Sequence, residues 1–128
     1  MTTFVEDVNM ADSLRALVVD DDQVIGSLVE DALSDGGFQS SIASSGEAAL
    51  ILLGKGKYDL LVLDIKLGKD GFAGWHVARR ARAIDPGVPV IYVTGSAAAE
   101  WAVHGVEKSI MLTKPFRPAD LLTAIRSF

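Results

Sequence analysis

The stretch "LVVDDDQV", Leu17 to Val24, runs an apolar segment directly into three consecutive aspartates. Neighbouring carboxylates repel by about 1 kcal/mol per pair in water and roughly 4 kcal/mol at an effective dielectric near 20. A fold keeps such a run only where something compensates it, so a partner for Asp20, Asp21 and Asp22 has to come from elsewhere in the chain.

Outward from this run, Val24, Ile25, Leu28, Val29, Ala32 and Leu33 recur at helical spacing, and Gly36-Gly37 close that helix. Apolar runs at "LRALVV" (14–19), "YDLLVL" (58–63), "VPVIYV" (88–93) and "SIML" (109–112) predict strands. Near-continuous Leu, Val and Ile in the first three suggests central parallel strands covered on both faces. The more polar "FQSSIA" (38–43) suits an edge strand.

Ser44 with Glu47 predicts a capping box for a second helix, and Trp75, Val77, Ala78, Ala81 and Ile84 mark a third that Asp85-Pro86-Gly87 stops. A weaker helical pattern covers Ala97 to about Val103. Pro118 at the first helical position and Asp120 in the first turn open the last helix, with Leu121, Leu122 and Ile125 inward. Strand and helix thus alternate five times, which predicts an α/β fold: an open, doubly wound parallel sheet with helices on both faces.

The 128 residues suit one domain, expected over 11–128, with 1–10 a tail or an alternative start region. Apolar residues make up 49% and charged residues 23%, a globular balance. A net charge of −5 argues against nucleic acid or an anionic membrane surface as partner, and Arg79, Arg80 and Arg82 read as a solvated helix face. Without cysteine, thiolate catalysis, disulfides and Cys-ligated metal centres are excluded. No leader or apolar run of spanning length is visible, so a cytoplasmic location is expected.

In doubly wound sheets, ligands bind outside the carboxyl ends of the strands, where strand order reverses. After the first strand come Asp20, Asp21 and Asp22; at the third, Asp64; after the fourth, Thr94; after the fifth, Lys114 and Pro115. Asp22 suits the cap of the first helix. The remaining carboxylates meeting at one point are what a hard divalent cation such as Mg²⁺ needs, and Lys114 with Thr94 suits a phosphoryl group beside it.

In order and spacing, "VVDDD", "LVLDI", "VTG" and "TKPF", supported by "SGEAAL" and a terminal amphipathic helix, resemble the receiver domains of two-component response regulators over residues 14 to 128. The resemblance implies a flavodoxin-like sheet of order 2-1-3-4-5. It further implies that Asp64 is the phosphoacceptor and that Asp21, Asp64 and the Lys66 backbone carbonyl ligate Mg²⁺, with Asp20 acting through water. Lys114 and Thr94 would hold phosphoryl oxygens, and a cis peptide would precede Pro115. The implied donor is a sensor histidine kinase or histidine phosphotransfer protein, and the chemistry is transfer onto Asp64 and its hydrolysis, with no other substrate.

The chain departs from the family pattern in places. The loop "KLGKDGFAG" has Gly68 where a proline is common and is longer than usual. Met111 stands where many members carry an aromatic switch residue. His76 and His104 lack metal-ligand spacing, Trp75 reads as a packing residue, and Trp101 suits either packing or a partner surface. The chain ends directly after the last helix, so output is expected through an unidentified protein partner, by a surface change near the 97–103 segment and the last helix. The alternative is a receiver-like interaction module that works without phosphorylation. A dinucleotide enzyme is disfavoured because Asp20 to Asp22 would repel a pyrophosphate. A phosphatase with an aspartyl intermediate would usually show a second aspartate where Lys66 stands.

Overall fold

The computed structural model describes residues 14–65, 73–95, 101 and 104–128. Five strands, β1 (Leu14–Val19), β2 (Phe38–Ala43), β3 (Leu60–Asp64), β4 (Val90–Thr94) and β5 (Ser109–Thr113), form one parallel sheet in the order β2-β1-β3-β4-β5. Among the described residues, α1 (Gln23–Asp35), α2 (Gly46–Lys55) and α3 (Ala73–Ile84) connect successive strands, and α4 (Pro118–Arg126) follows β5. The expected doubly wound architecture and strand order are those of the structure, with β2 at an edge as its polarity suggested.

Period-two alternation along buried strands divides the core between the two faces. Leu17, Val19, Leu61, Leu63, Val90 and Tyr92 pack against Ala49 and Leu53 of α2 and Trp75, Val77, Ala78 and Ala81 of α3. The intervening Ala16, Val18, Leu60, Val62, Ile91 and Val93 pack against Val29, Ala32 and Leu33 of α1 and Leu121 and Ala124 of α4. Each fully buried Val, Leu or Ile side chain contributes about 1.5–3 kcal/mol. These two layers hold the strand ends, and therefore the rim, in fixed register.

Several local expectations change. Ser45, not Ser44, caps α2: its backbone is extended and its hydroxyl accepts the Ala48 N–H at 3.1 Å, which puts Glu47 one position too early for a reciprocal box. Val24 and Leu28 share the helical period of α1 but are 69% and 52% exposed, because the buried stripe runs through Gly26, Val29, Ala32 and Leu33. Ile84, at the end of α3, is also exposed. Strands β3 and β4 extend one residue past the apolar runs and take in Asp64 and Thr94.

Arg82 is no solvated residue. Its guanidinium donates to the carbonyls of Val88 at 2.7 Å and Glu107 at 2.6 Å, clamping α3 onto the turns that lead into β4 and β5. Residues 1–10, Lys66, most of the loop after it and most of the 97–103 pattern lie outside the described residues.

Candidate functional site

Chain direction in a parallel sheet brings every strand's carboxyl end to one rim, and the reversal of strand order falls between β1 and β3. Asp20 follows β1 there, its N–H still paired in sheet fashion with the Ala43 carbonyl at 3.1 Å. Asp64 is the last residue of β3 and pairs in register with Val93. Both are nearly buried, at 5% and 6% exposure, whereas Asp21 is exposed. The three side chains offer carboxylate oxygens that all lie within 4.8 Å of one another.

Asp22 does the capping work expected of it, accepting the N–H groups of Val24 at 2.9 Å and Ile25 at 3.3 Å. Its own N–H donates to Asp20 Oδ1 at 2.8 Å. The third aspartate of the run is therefore structural, and it orients the first.

Thr94 closes β4 with no exposed surface, and its carbonyl accepts the Lys114 N–H at 2.6 Å. This bond ties the chain leaving β5 to the end of β4, and the peptide between Lys114 and Pro115 is cis, as the resemblance implied. The Lys114 ammonium lies 3.6 Å from Asp20 Oδ2 and 3.9 Å from Asp64 Oδ2. Those distances exceed direct hydrogen bonds but are within ion-pair reach. The lysine is thus the compensating charge that the aspartate run requires, held between two carboxylates.

Compensation is incomplete. Burial pushes the Asp20 carboxyl above its ordinary range; the Asp22 N–H and Lys114 pull it down, while the Asp64 and Asp21 charges raise it further. An all-oxygen donor set with more carboxylates than cations suits a hard divalent ion. Carboxylate oxygens of Asp20, Asp21 and Asp64 gathered within 4.8 Å of one another would hold such an ion directly or through its retained waters.

Beside Lys114 lies a mostly apolar groove of about 300 Å³ lined by Ile25, Leu28, Pro115, Phe116 and Pro118. Away from the rim, Tyr92 is fully buried against Trp75, ring centroids 4.9 Å apart, and its hydroxyl accepts the Val106 N–H at 3.3 Å. Met111 pairs in register with Tyr92 and packs on the same core layer. The Trp101 indole N–H donates to Ser109 Oγ at 3.0 Å, a packing role. His104 lies against Trp75 and within 3.5 Å of Arg79, consistent with a structural part. The roles of Tyr92 and Arg82 were not read from the sequence; an arginine in a helix facing two turns carries no local signal.

Sheet order, helix placement and the acidic rim define a receiver. A family model, the response regulator receiver domain, matches residues 16–126, and the chain belongs to that family. Among solved structures, it is similar to a response regulator receiver protein from Sinorhizobium medicae, with 41% identity and a TM-score of 0.85, covering 91% of this chain and 94% of that one. A CheY-like receiver domain protein from Methanospirillum hungatei is 31% identical with a TM-score of 0.76, covering 89% and 91%. The transcriptional regulatory protein CusR of Escherichia coli is 32% identical over 116 residues, 89% of this chain and 50% of that protein. RprY of Bacteroides fragilis, also a transcriptional regulatory protein, is 31% identical over 123 residues, 94% and 51% respectively. The chain spans about half the length of these curated relatives. No helix among the described residues is long and apolar enough to cross a membrane.

Proposed function

We propose that this receiver domain accepts a phosphoryl group on Asp64 from the phosphohistidine of a sensor histidine kinase or a histidine phosphotransfer protein, in a Mg²⁺-dependent reaction. The observation that carries the reading is the convergence of Asp64 with Asp20, Asp21 and Lys114 at the point where strand order reverses.

An Asp64 carboxylate oxygen forms the new O–P bond, the P–N bond to the donor imidazole breaks, and the electron pair leaves with that nitrogen. The ionised carboxylate is already the nucleophile, so no general base is required. Charge develops on the equatorial phosphoryl oxygens, and catalysis is a matter of positioning and electrostatic stabilisation. Lys114 supplies a fixed positive charge there, and the Thr94 hydroxyl holds an oxygen once the group has transferred. Asp21, Asp64 and the Lys66 carbonyl would hold Mg²⁺, with Asp20 acting through water, and the bound ion would supply positive charge against the carboxylates and the phosphoryl group.

The apolar groove beside Lys114 and the exposed Val24 and Leu28 offer a protein donor a seat next to the acceptor. Output is proposed to pass to a protein partner through the surface near residues 97–103 and α4. Signalling rather than turnover of a separate substrate is the function.

Intact-protein mass spectrometry after incubation with acetyl phosphate, with and without Mg²⁺, tests the reading. A Mg²⁺-dependent gain of one phosphoryl mass, absent in Asp64→Asn, is expected. No gain in the wild-type protein, together with no uptake of beryllofluoride, would sink it and favour a phosphorylation-independent interaction module.

A further inference from the structure

Gly74, the second residue of α3, presses directly on the backbone of the acceptor. A Cβ built on it would overlap the Asp64 carbonyl oxygen and lie 3.2 Å from both the Cα and the carbonyl oxygen of Ile65. The neighbour is main chain, so no side-chain rotation relieves the overlap. The backbone conformation does not call for glycine: among the described glycines only Gly37 has positive φ. Alanine is ordinarily the better residue in a helix. Closeness to Asp64 is the physical reason for a glycine at this position.

Neither side of the contact yields easily. Asp64 pairs with Val93 in the middle of the sheet, and Ile65, fully buried, donates its N–H to the Val93 carbonyl at 3.1 Å. On the other side, α3 is pinned by buried Trp75, Val77, Ala78 and Ala81 and by the Arg82 clamp. A methyl group between two such bodies is accommodated by displacing the Asp64–Ile65 peptide or the first turn of α3, and overpacking of this kind is resisted by a dense interior. The Asp64 carboxylate is attached to that peptide, and its distances to Lys114, Asp20 and Asp21 follow it.

We infer that Gly74 is a positioning residue for the Asp64 carboxylate: by lacking a side chain it lets α3 seat against the acceptor's carbonyl and fixes the acceptor relative to Asp20, Asp21 and Lys114. This rests on the reading of Asp64 as acceptor and Mg²⁺ ligand.

Gly54 of α2 is a built-in control, since a Cβ there meets nothing within 4 Å. Gly74→Ala is expected to keep a native far-ultraviolet spectrum while losing at least about tenfold in Mg²⁺ affinity by calorimetry, some 1.4 kcal/mol. Its kcat/KM for phosphoryl uptake from acetyl phosphate falls in parallel. Gly54→Ala leaves both unchanged. Gly74→Ala with Mg²⁺ affinity and uptake within twofold of wild type overturns the inference. If Gly74→Ala does not fold, the wild-type protein decides: a nuclear Overhauser contact between the α-protons of Gly74 and Ile65 supports it, and absence of that contact overturns it. A wild-type protein that takes up neither Mg²⁺ nor a phosphoryl group overturns the functional reading itself, a result distinct from an active wild type beside an equally active Gly74→Ala.

Discussion

Asp20 faces Lys114 across 3.6 Å and still has its carboxyl held above the ordinary range, because burial outweighs the Asp22 N–H and the lysine, and Asp64 and Asp21 add to the rise. A carboxyl raised on folding binds its proton more tightly in the native state. Stability therefore falls as pH rises from the ordinary carboxyl value through the folded one, and the penalty persists at neutral pH. Asp20→Asn keeps an oxygen for the Asp22 N–H and removes the charge. In chelator at pH 7 its Tm is expected to exceed that of the wild type, and the gap to narrow as pH falls below the ordinary carboxyl range, where the wild-type carboxyl takes up its proton in both states. Equal Tm at pH 7 would show that the lysine fully compensates the carboxylate.

Asp21 is exposed, so its loss separates binding from folding. In chelator, Asp21→Ala is expected to melt within about 2 °C of wild type, in line with surface substitutions of under about 0.5 kcal/mol. With Mg²⁺ added, the wild-type Tm rises by linkage and the variant's rises far less, reflecting at least a tenfold weaker site. A variant that gains as much from Mg²⁺ as the wild type removes Asp21 from the ligand set.

Tyr92 predicts an alkaline effect. Burial pushes its hydroxyl above the ordinary value, despite the Val106 N–H and the Arg82 and Arg79 charges that lower it. The unfolded tyrosine ionises first, so stability drops as pH climbs from about 10 through the folded value. Tyr92→Phe is expected to flatten that drop and to cost about 1–2 kcal/mol at pH 7, where Val106 loses its acceptor. Urea unfolding at pH 7 and 10.5 checks both signs.

Arg82→Ala is expected to lower stability by about 1–3 kcal/mol, since two carbonyls lose a charged donor. Arg82→Lys recovers less than half, because an ammonium lacks the fork that reaches both turns. Full recovery in chemical denaturation by lysine would reduce the clamp to simple charge.

The rim was legible because chemistry and topology coincide in the sequence: Asp20, Asp64, Thr94 and Lys114 each end an apolar run, and βα alternation puts all such ends together. Asp22 as cap followed from its place before the helical period. What stayed hidden depends on distances between elements. Val24 and Leu28 fit a helical stripe, but only packing against β2, β1 and α4 decides how wide the buried stripe is. Ser44 and Ser45 are equivalent until φ and ψ choose between them. Gly74 looks like any loop glycine until the Asp64 carbonyl is placed beside it.

Asp20, Asp21 and Asp64 all lie within the first 64 residues, just after β1 and at the end of β3, whereas Thr94 ends β4 and Lys114 follows β5. Chains are synthesised from the N-terminus, so the anionic half of the rim emerges before its counter-charge exists. A half-assembled sheet would carry the aspartate repulsion unrelieved, and pairing of the final strand brings in the ammonium that lessens it. The rim's charge balance is therefore a property of the finished sheet, reached only when the last strand has paired.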